Sequence, residues 1–275
     1  VATPIGNLED MSPRAVRVLS SVSLIAAEDT RHSKRLLTHF GVGTRLTPLH
    51  DHNEKSVSGR IIRQLEQGRD VALISDAGTP LISDPGYTLV RAAHAAGIRV
   101  LPVPGPAALT AALSVAGLPT DRFFFEGFLP HRRTARRQRL TELQSLGITL
   151  VCYESSHRIA ASLADMVECL GAGREATLAR ELTKAYETVR HDTLAGLLSW
   201  LAEDAQREKG EFVIMVKGIT VDSTLLDAQA RHILAVLLEA LPLKQAAALA
   251  AKITGLSRNA LYDHGLVLKQ KDDSN

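Results

Sequence analysis

Charged and imidazole side chains cluster where short apolar segments end. Glu28-Asp29-Thr30-Arg31-His32 follows Ser23–Ala27, and His50-Asp51-His52-Asn53-Glu54 follows Leu46–Leu49. Carboxylates and imidazoles are the usual proton carriers. Glu28, Asp29, Asp51, His32 and His52 are therefore candidates for acid–base work or substrate contact. His50 and His52 also suit a metal, but no further His or Cys motif accompanies them, and no metal is expected. A third cluster, Ala179-Arg180-Glu181-Leu182-Thr183-Lys184, has a plain reading as a solvated salt bridge.

Three loops rich in Gly and Pro accompany these clusters. Ser75-Asp76-Ala77-Gly78-Thr79-Pro80 follows Val71–Ile74 directly, and Ser83-Asp84-Pro85-Gly86 comes straight after it. A loop this long exceeds what a strand-to-helix connection needs. Its free backbone N–H groups, carboxylate and rigid turn suit a ligand, although a decorated turn has the same composition. Pro102-Val103-Pro104-Gly105-Pro106-Ala107-Ala108 follows Val100–Val103. Its small residues would let a ligand approach a helix start, where N–H groups lack partners. Thr3-Pro4-Ile5-Gly6-Asn7 is the third.

Other patterns carry less. Gly171-Ala172-Gly173-Arg174-Glu175-Ala176 formally fits a dinucleotide motif, but follows a helix and precedes a strand, the wrong order. No Walker loop, zinc-type Cys pair or Gly-x-Ser-x-Gly elbow is present. Cys152 and Cys169 read as buried thiols. Residues 131–139, His-Arg-Arg-Thr-Ala-Arg-Arg-Gln-Arg, hold five Arg. That density exceeds an ordinary solvated helix face and points to nucleic-acid phosphates, with Arg132, Arg133, Arg136 and Arg137 as contacts.

The elements that position these residues alternate from the start to about Gly218. Helices are expected over Ser12–Val22, Arg31–Phe40, Ser58–Gln67, Tyr87–Ala96 and Ala107–Ala116, and strands over Ser23–Ala27, Leu46–Leu49, Val71–Ile74 and Val100–Val103. Single helices between strands imply parallel pairing in an α/β layer. Gly117–Asp121 is a boundary. Beyond it, strands at Phe123–Phe125, Thr149–Tyr153, Thr177–Ala179, Thr188–Arg190 and Phe212–Val216 alternate with helices over Arg133–Leu143, Ile159–Leu170 and Leu194–Ala202. This half suits a second α/β layer of mixed strand direction. Residues 225–268 read as all-helical, with Lys244–Lys252, Gly255 and Ser257–Leu266 resembling a helix-turn-helix. The expected domains are 1–118, 119–218 and a helical appendage at 222–275.

Composition narrows the function classes. The 275 residues are 45% hydrophobic and 23% charged with net charge +2, which suits a globular protein and does not by itself announce a nucleic-acid binder. Two Cys exclude a disulfide scaffold. No apolar run approaches a membrane span and no signal-like segment opens the chain, so no membrane partner is expected and the cytoplasm is the expected compartment.

Taken together, Ala2–Leu8, Ala26–Arg31, Asp51–Glu54, Ser75–Pro80, Pro104-Gly105-Pro106, Phe125–Pro130, Tyr153-Glu154-Ser155 and Ala179–Lys184 resemble the RsmI family of the tetrapyrrole-methylase superfamily. The resemblance covers nearly the whole chain; the chief departure is the start at Val1, which leaves out most of the family's first strand. It implies two α/β domains with S-adenosylmethionine between them, a helical C-terminal domain, and 2′-O-methylation of a cytidine ribose in small-subunit ribosomal RNA by a homodimer. By position it implies cofactor contacts at Pro4, Asp76, Ala77, Gly78, Thr79 and Leu81, and at Ala107 and Ala108. From the second half come Tyr153, Leu182, Gly210 and Glu211. The resemblance singles out no base; Glu28, Asp51, Glu181 and Lys184 are the catalytic candidates, and Arg31, His32, His52 and Asn53 join the Arg run as RNA contacts. The competing readings are a precorrin-type tetrapyrrole methyltransferase and a non-catalytic nucleic-acid-binding protein.

Overall fold

The computed structural model describes residues 1–219 and 228–272. The chain forms two compact units, residues 1–218 and 219–275.

The first unit begins with α1 (Pro13–Ser21), whose Pro sits in the first turn behind Ser12; the Ser12 hydroxyl accepts from the Ala15 N–H at 3.0 Å. β1 (Leu24–Ala27), α2 (Thr30–His39), β2 (Leu46–Pro48), α3 (Glu54–Glu66) and β3 (Val71–Ile74) follow. The strands pair in parallel in the order β2-β1-β3. β1 is buried along its whole length, as an apolar central strand covered on both faces must be. On one face Ala15, Leu19 and Leu37 of α1 and α2 pack against Ile25, Ala27 and Ile74. On the other, Val57, Ile61 and Leu89 pack against Leu24 and Ala26. α4 (Tyr87–Ala95) and α5 (Ala108–Ser114) complete this half. The expected strand Val100–Val103 is not one. Its backbone contact to the chain start is a single bond, Ala2 N–H to the Val103 carbonyl at 3.0 Å, too little to build a ladder.

The second sheet draws on β4 (Phe123–Phe128), β5 (Thr149–Ser155), β6 (Glu175–Arg180), β7 (Thr188–Thr193) and β8 (Glu211–Val216), with helices α6 (Arg133–Leu143), α7 (Ile159–Leu170) and α8 (Leu194–Ala202). Its order is β4-β5-β8-β6-β7. Only β4 and β5 run parallel; β8 is antiparallel to β5 and to β6, and β6 to β7. One face is covered by Leu163 and Met166 of α7 with Leu197 of α8. The other takes Ala112 of α5 against Val151, Ala179 and Val213, so a helix from the first half packs on the second sheet.

In the second unit, α9 (Ala228–Ala240), α10 (Leu243–Thr254) and α11 (Arg258–Asp272) share a core of Ala230, Leu234, Ala246, Ala250 and Leu261. α10 ends at Gly255, which is left-handed at φ 72° and donates its N–H to the Ala251 carbonyl. The expected domain start at 222 and the helical residues 225–227 lie outside the described residues.

Candidate active site

A cavity of about 310 Å³ lies where the two sheets' loops meet within the first unit. The turn Asp76–Thr79, at the carboxyl end of β3, forms one wall. Thr3 and Gly78 exchange both backbone hydrogen bonds, at 2.9 and 3.0 Å, which ties the chain start to this turn. Gly78 has φ 84°, and a Cβ there would stand 3.2 Å from Ile5 Cγ2, so the turn requires glycine. The Thr79 hydroxyl donates to the Pro106 carbonyl at 2.9 Å and joins this loop to the start of α5.

Five carboxylates line the cavity; Glu154 pairs with Arg158 and Glu211 with Lys184, while Glu28, Asp76 and Asp84 have no cationic partner among the described residues. Asp76 accepts the Asp29 N–H at 2.9 Å. Burial raises the pKa of Glu28, and the charges of Asp76 and Asp84 raise it further. Burial likewise raises that of Asp84, against a lowering hydrogen bond from Ser75.

The opposite wall is largely apolar: Phe128, Leu182, Phe212 and Val213. Tyr153 projects from β5, its ring edge-on to Phe125 and Phe128 at 4.9 and 5.7 Å, and its hydroxyl accepts the Leu109 N–H of α5 at 3.0 Å. Burial pushes its phenol above the usual range, so it stays neutral.

At the rim, Lys184 donates to Glu181 at 2.8 Å and to Glu211 at 2.6 Å, while Glu181 also accepts the Glu211 N–H at 2.9 Å. Burial opposes the charge on both Glu181 and Lys184. Their mutual hydrogen bonds outweigh it, leaving the carboxyl below and the ammonium above its ordinary value. Four non-glycine residues with left-handed backbone, Leu81, Ser83, Glu181 and Thr183, all lie on the two loops that flank the cavity. Such residues cost on the order of 1–3 kcal/mol each and concentrate at functional sites.

Residues 1–198 match the tetrapyrrole (corrin/porphyrin) methylases, and residues 224–269 match the RsmI C-terminal HTH domain. The chain is 57% identical over 268 residues to the ribosomal RNA small subunit methyltransferase I of Pseudomonas aeruginosa, covering 97% of this chain and 95% of that protein. The chain belongs to the RsmI family. Its Escherichia coli O157:H7 relative of the same name is 53% identical over 266 residues, covering 97% and 93%. Among solved structures, diphthine synthase superposes with a TM-score of 0.62 at 17% identity, covering 79% of this chain and 88% of its own. The methyltransferase CobJ gives 0.57 at 19%, covering 78% and 90%. At these identities the likeness is one of fold, the tetrapyrrole-methylase fold expected from sequence.

RsmI proteins are methyltransferases that use S-adenosylmethionine. The cavity fits that molecule. Three carboxylates without cationic partners suit its ammonium and sulfonium charges, and the apolar wall suits its adenine. Of the positions assigned to the cofactor, Asp76, Ala77, Gly78 and Thr79 line the cavity on one side, as do Ala107 and Ala108. Tyr153, Leu182 and Glu211 line it on the other. Pro4 and Gly210 do not; Ile5 takes the place beside Pro4, and Gly210 packs under Glu181, where a Cβ would stand 2.5 Å from Cγ. Leu81 also lies outside, exposed and turned toward Gly86. Of the catalytic candidates, Glu28 and Lys184 line the cavity, and Asp51 and Glu181 do not. Sequence reasoning missed Ile5, Asp84, Phe128 and Phe212. Asp84 had a signal, the second turn Ser83–Gly86, whose depth in the pocket only the fold reveals.

The Arg run requires correction. Arg136 is only 4% exposed and its guanidinium binds Asp165 Oδ2 at 2.7–2.8 Å, so it is not open to RNA. Arg133 binds the same carboxylate at 3.0 Å, Arg137 pairs with Glu168, and Arg139 forks onto Glu126 at 2.8 Å. Arg133 and Arg137 remain 65% and 40% exposed beside their carboxylates, and Arg132 alone among the five has no such pair among the described residues. The Asn53 side chain is engaged locally, accepting the His50 N–H at 2.9 Å and donating to the Pro48 carbonyl at 3.2 Å. Arg31, His32 and His52 are exposed. Among the described residues no group of three His, Cys, Asp or Glu is placed to hold a metal.

Proposed function

We propose that this protein methylates the 2′-oxygen of a cytidine ribose in small-subunit ribosomal RNA, using S-adenosylmethionine. The reading rests on the carboxylate-lined cavity, joined to the 57% identity with a ribosomal RNA methyltransferase over nearly the whole chain. The two sheets are read as the domains 1–118 and 119–218 that flank the donor, in a cytoplasmic homodimer.

The donor supplies an electrophilic methyl group when bound. The chain's own task is to hold a ribose hydroxyl in line and take its proton. Alignment of this kind contributes several orders of magnitude. Glu28 is the proposed proton acceptor: it lines the cavity, and its raised pKa makes it a stronger base than an exposed glutamate. Lys184, kept charged and immobile by Glu181 and Glu211, is the proposed cation for the developing alkoxide. Glu181 itself is engaged by Lys184 and the Glu211 N–H, and Asp51 is exposed, so neither is assigned the proton. Asp76, Asp84 and the α5 start are assigned to the donor, and Arg31, His32 and His52 to the RNA.

The test is incubation with methyl-labelled S-adenosylmethionine and small ribosomal subunits that lack the modification. Label in ribosomal RNA, mapped to a cytidine 2′-oxygen, is the expected result. Label in a porphyrinoid offered alongside, or on a base, would overturn the reading.

A further inference from the structure

If RNA is the substrate, as just proposed, its backbone must pass the cavity along some surface of matching charge. On α6, Arg136 is buried and Arg133, Arg137 and Arg139 are held by carboxylates of the protein itself. A different helix carries unpaired cations. α2 holds Arg31, His32, Lys34, Arg35 and His39 in ten residues, all exposed, and contains no Asp or Glu. Lys34 and Arg35 have no ion-pair partner among the described residues; Arg31 lies 3.5 Å from the cap residue Asp29. α1 packs on the same sheet face, adds exposed Arg14 and Arg17, and is also free of acidic residues. The carboxylates nearest in sequence are Glu9 and Asp10 ahead of α1, and Glu28 and Asp29 ahead of α2.

α2 is also anchored to the site. Asp29 caps it, accepting the N–H of Arg31 at 2.8 Å, and donates its own N–H to the cavity residue Asp76. At 1.5 Å per residue, Lys34 and Arg35 stand roughly 8–9 Å along the axis from that cap. On α3, which lies on the opposite sheet face, Arg60 and Arg63 stand roughly 10 and 15 Å from the cap at Asn53.

We propose that the exposed cationic face of α2, formed by Arg31, Lys34 and Arg35, is the phosphate-binding track that leads an unpaired RNA segment to the cavity. Each phosphate neutralised on a single strand steepens the logarithmic salt dependence of binding by about 0.7. Removing two such contacts should therefore flatten the slope by about 1.4, or about 7-fold in affinity between 50 and 200 mM salt.

The experiment measures binding of unmodified small subunits by Lys34→Gln/Arg35→Gln protein across that salt range. Calorimetry with S-adenosylmethionine on the same protein checks that the cavity is intact. The expected result is a flattened slope with unchanged donor affinity, restored slope in Lys34→Arg, and a wild-type slope in Arg132→Gln. A wild-type slope in the double variant, or a larger effect from Arg132→Gln, would overturn the track while leaving the methylation reading standing. Wild-type protein that binds the donor but no ribosomal subunit would overturn both.

Discussion

Replacing Asp165 by Asn should unfold the protein far more readily than any exposed charge change, and this separates a structural Arg run from an RNA-binding one. Asp165 is 1% exposed and receives Arg136 at 2.7 Å and Arg133 at 3.0 Å. Arg133 is 65% exposed and can return to water, but Arg136 cannot. Asn keeps the shape and removes the countercharge, leaving a buried guanidinium uncompensated, at a cost of about 3–5 kcal/mol. For a unit of this size that lowers Tm by roughly 6–20 °C. Arg136→Met should cost less, because Asp165 keeps Arg133, and the double variant Arg136→Met/Asp165→Leu should recover much of the loss. Urea titration and calorimetry measure all three. The pH dependence has a definite sign. Burial opposes the Asp165 charge, the Arg133 and Arg136 hydrogen bonds outweigh it, and the carboxyl falls below its ordinary value. Its stabilisation is therefore complete above the ordinary aspartate pKa and is lost as pH falls through the depressed one. A loss under about 1 kcal/mol in Asp165→Asn, the range of an exposed pair, would refute the structural assignment. So would an intact Arg136→Met protein with a flattened salt slope for RNA.

Tyr153→Phe removes the acceptor of the Leu109 N–H, and should cost about 1 kcal/mol in denaturant stability and weaken donor binding by calorimetry. Gly78→Ala places a side chain at φ 84° against Ile5, and should cost about 1–2 kcal/mol with a clear loss of donor affinity. Asp84→Asn removes a negative neighbour that raises the Glu28 pKa, so the acid limb of the single-turnover methylation rate should move to lower pH. An unmoved limb would remove Glu28 as the proton acceptor.

Local signals carried much of this architecture. The ends of α6, α7 and α8 coincide with the residues that periodicity marks; α7 and α8 turn an apolar stripe to the sheet, whereas α6 buries Leu140 and Leu143 beside Arg136. The glycine loops stood out because their length and composition exceed what a connection needs, and all three contribute residues to the cavity wall. The Arg run was misleading for a tertiary reason. Its counterions, Asp165 and Glu168, lie one helical turn apart on α7 and meet α6 only through helix packing. The same holds for Asp84, whose place in the cavity depends on the left-handed Ser83 before it. Val100–Val103 has strand composition but too few ladder bonds to be a strand.

The left-handed Leu81, Ser83, Glu181 and Thr183 make the mouth of the cavity an untapped reserve of thermal robustness. Glycine at Leu81, Ser83 or Thr183 would relax the backbone against a cost in unfolded-chain freedom, whereas at Glu181 it would also remove the carboxylate that holds Lys184 and the Glu211 N–H. A hardier protein obtained in this way would hold the cavity rim more loosely, so durability and turnover should trade against each other at these residues.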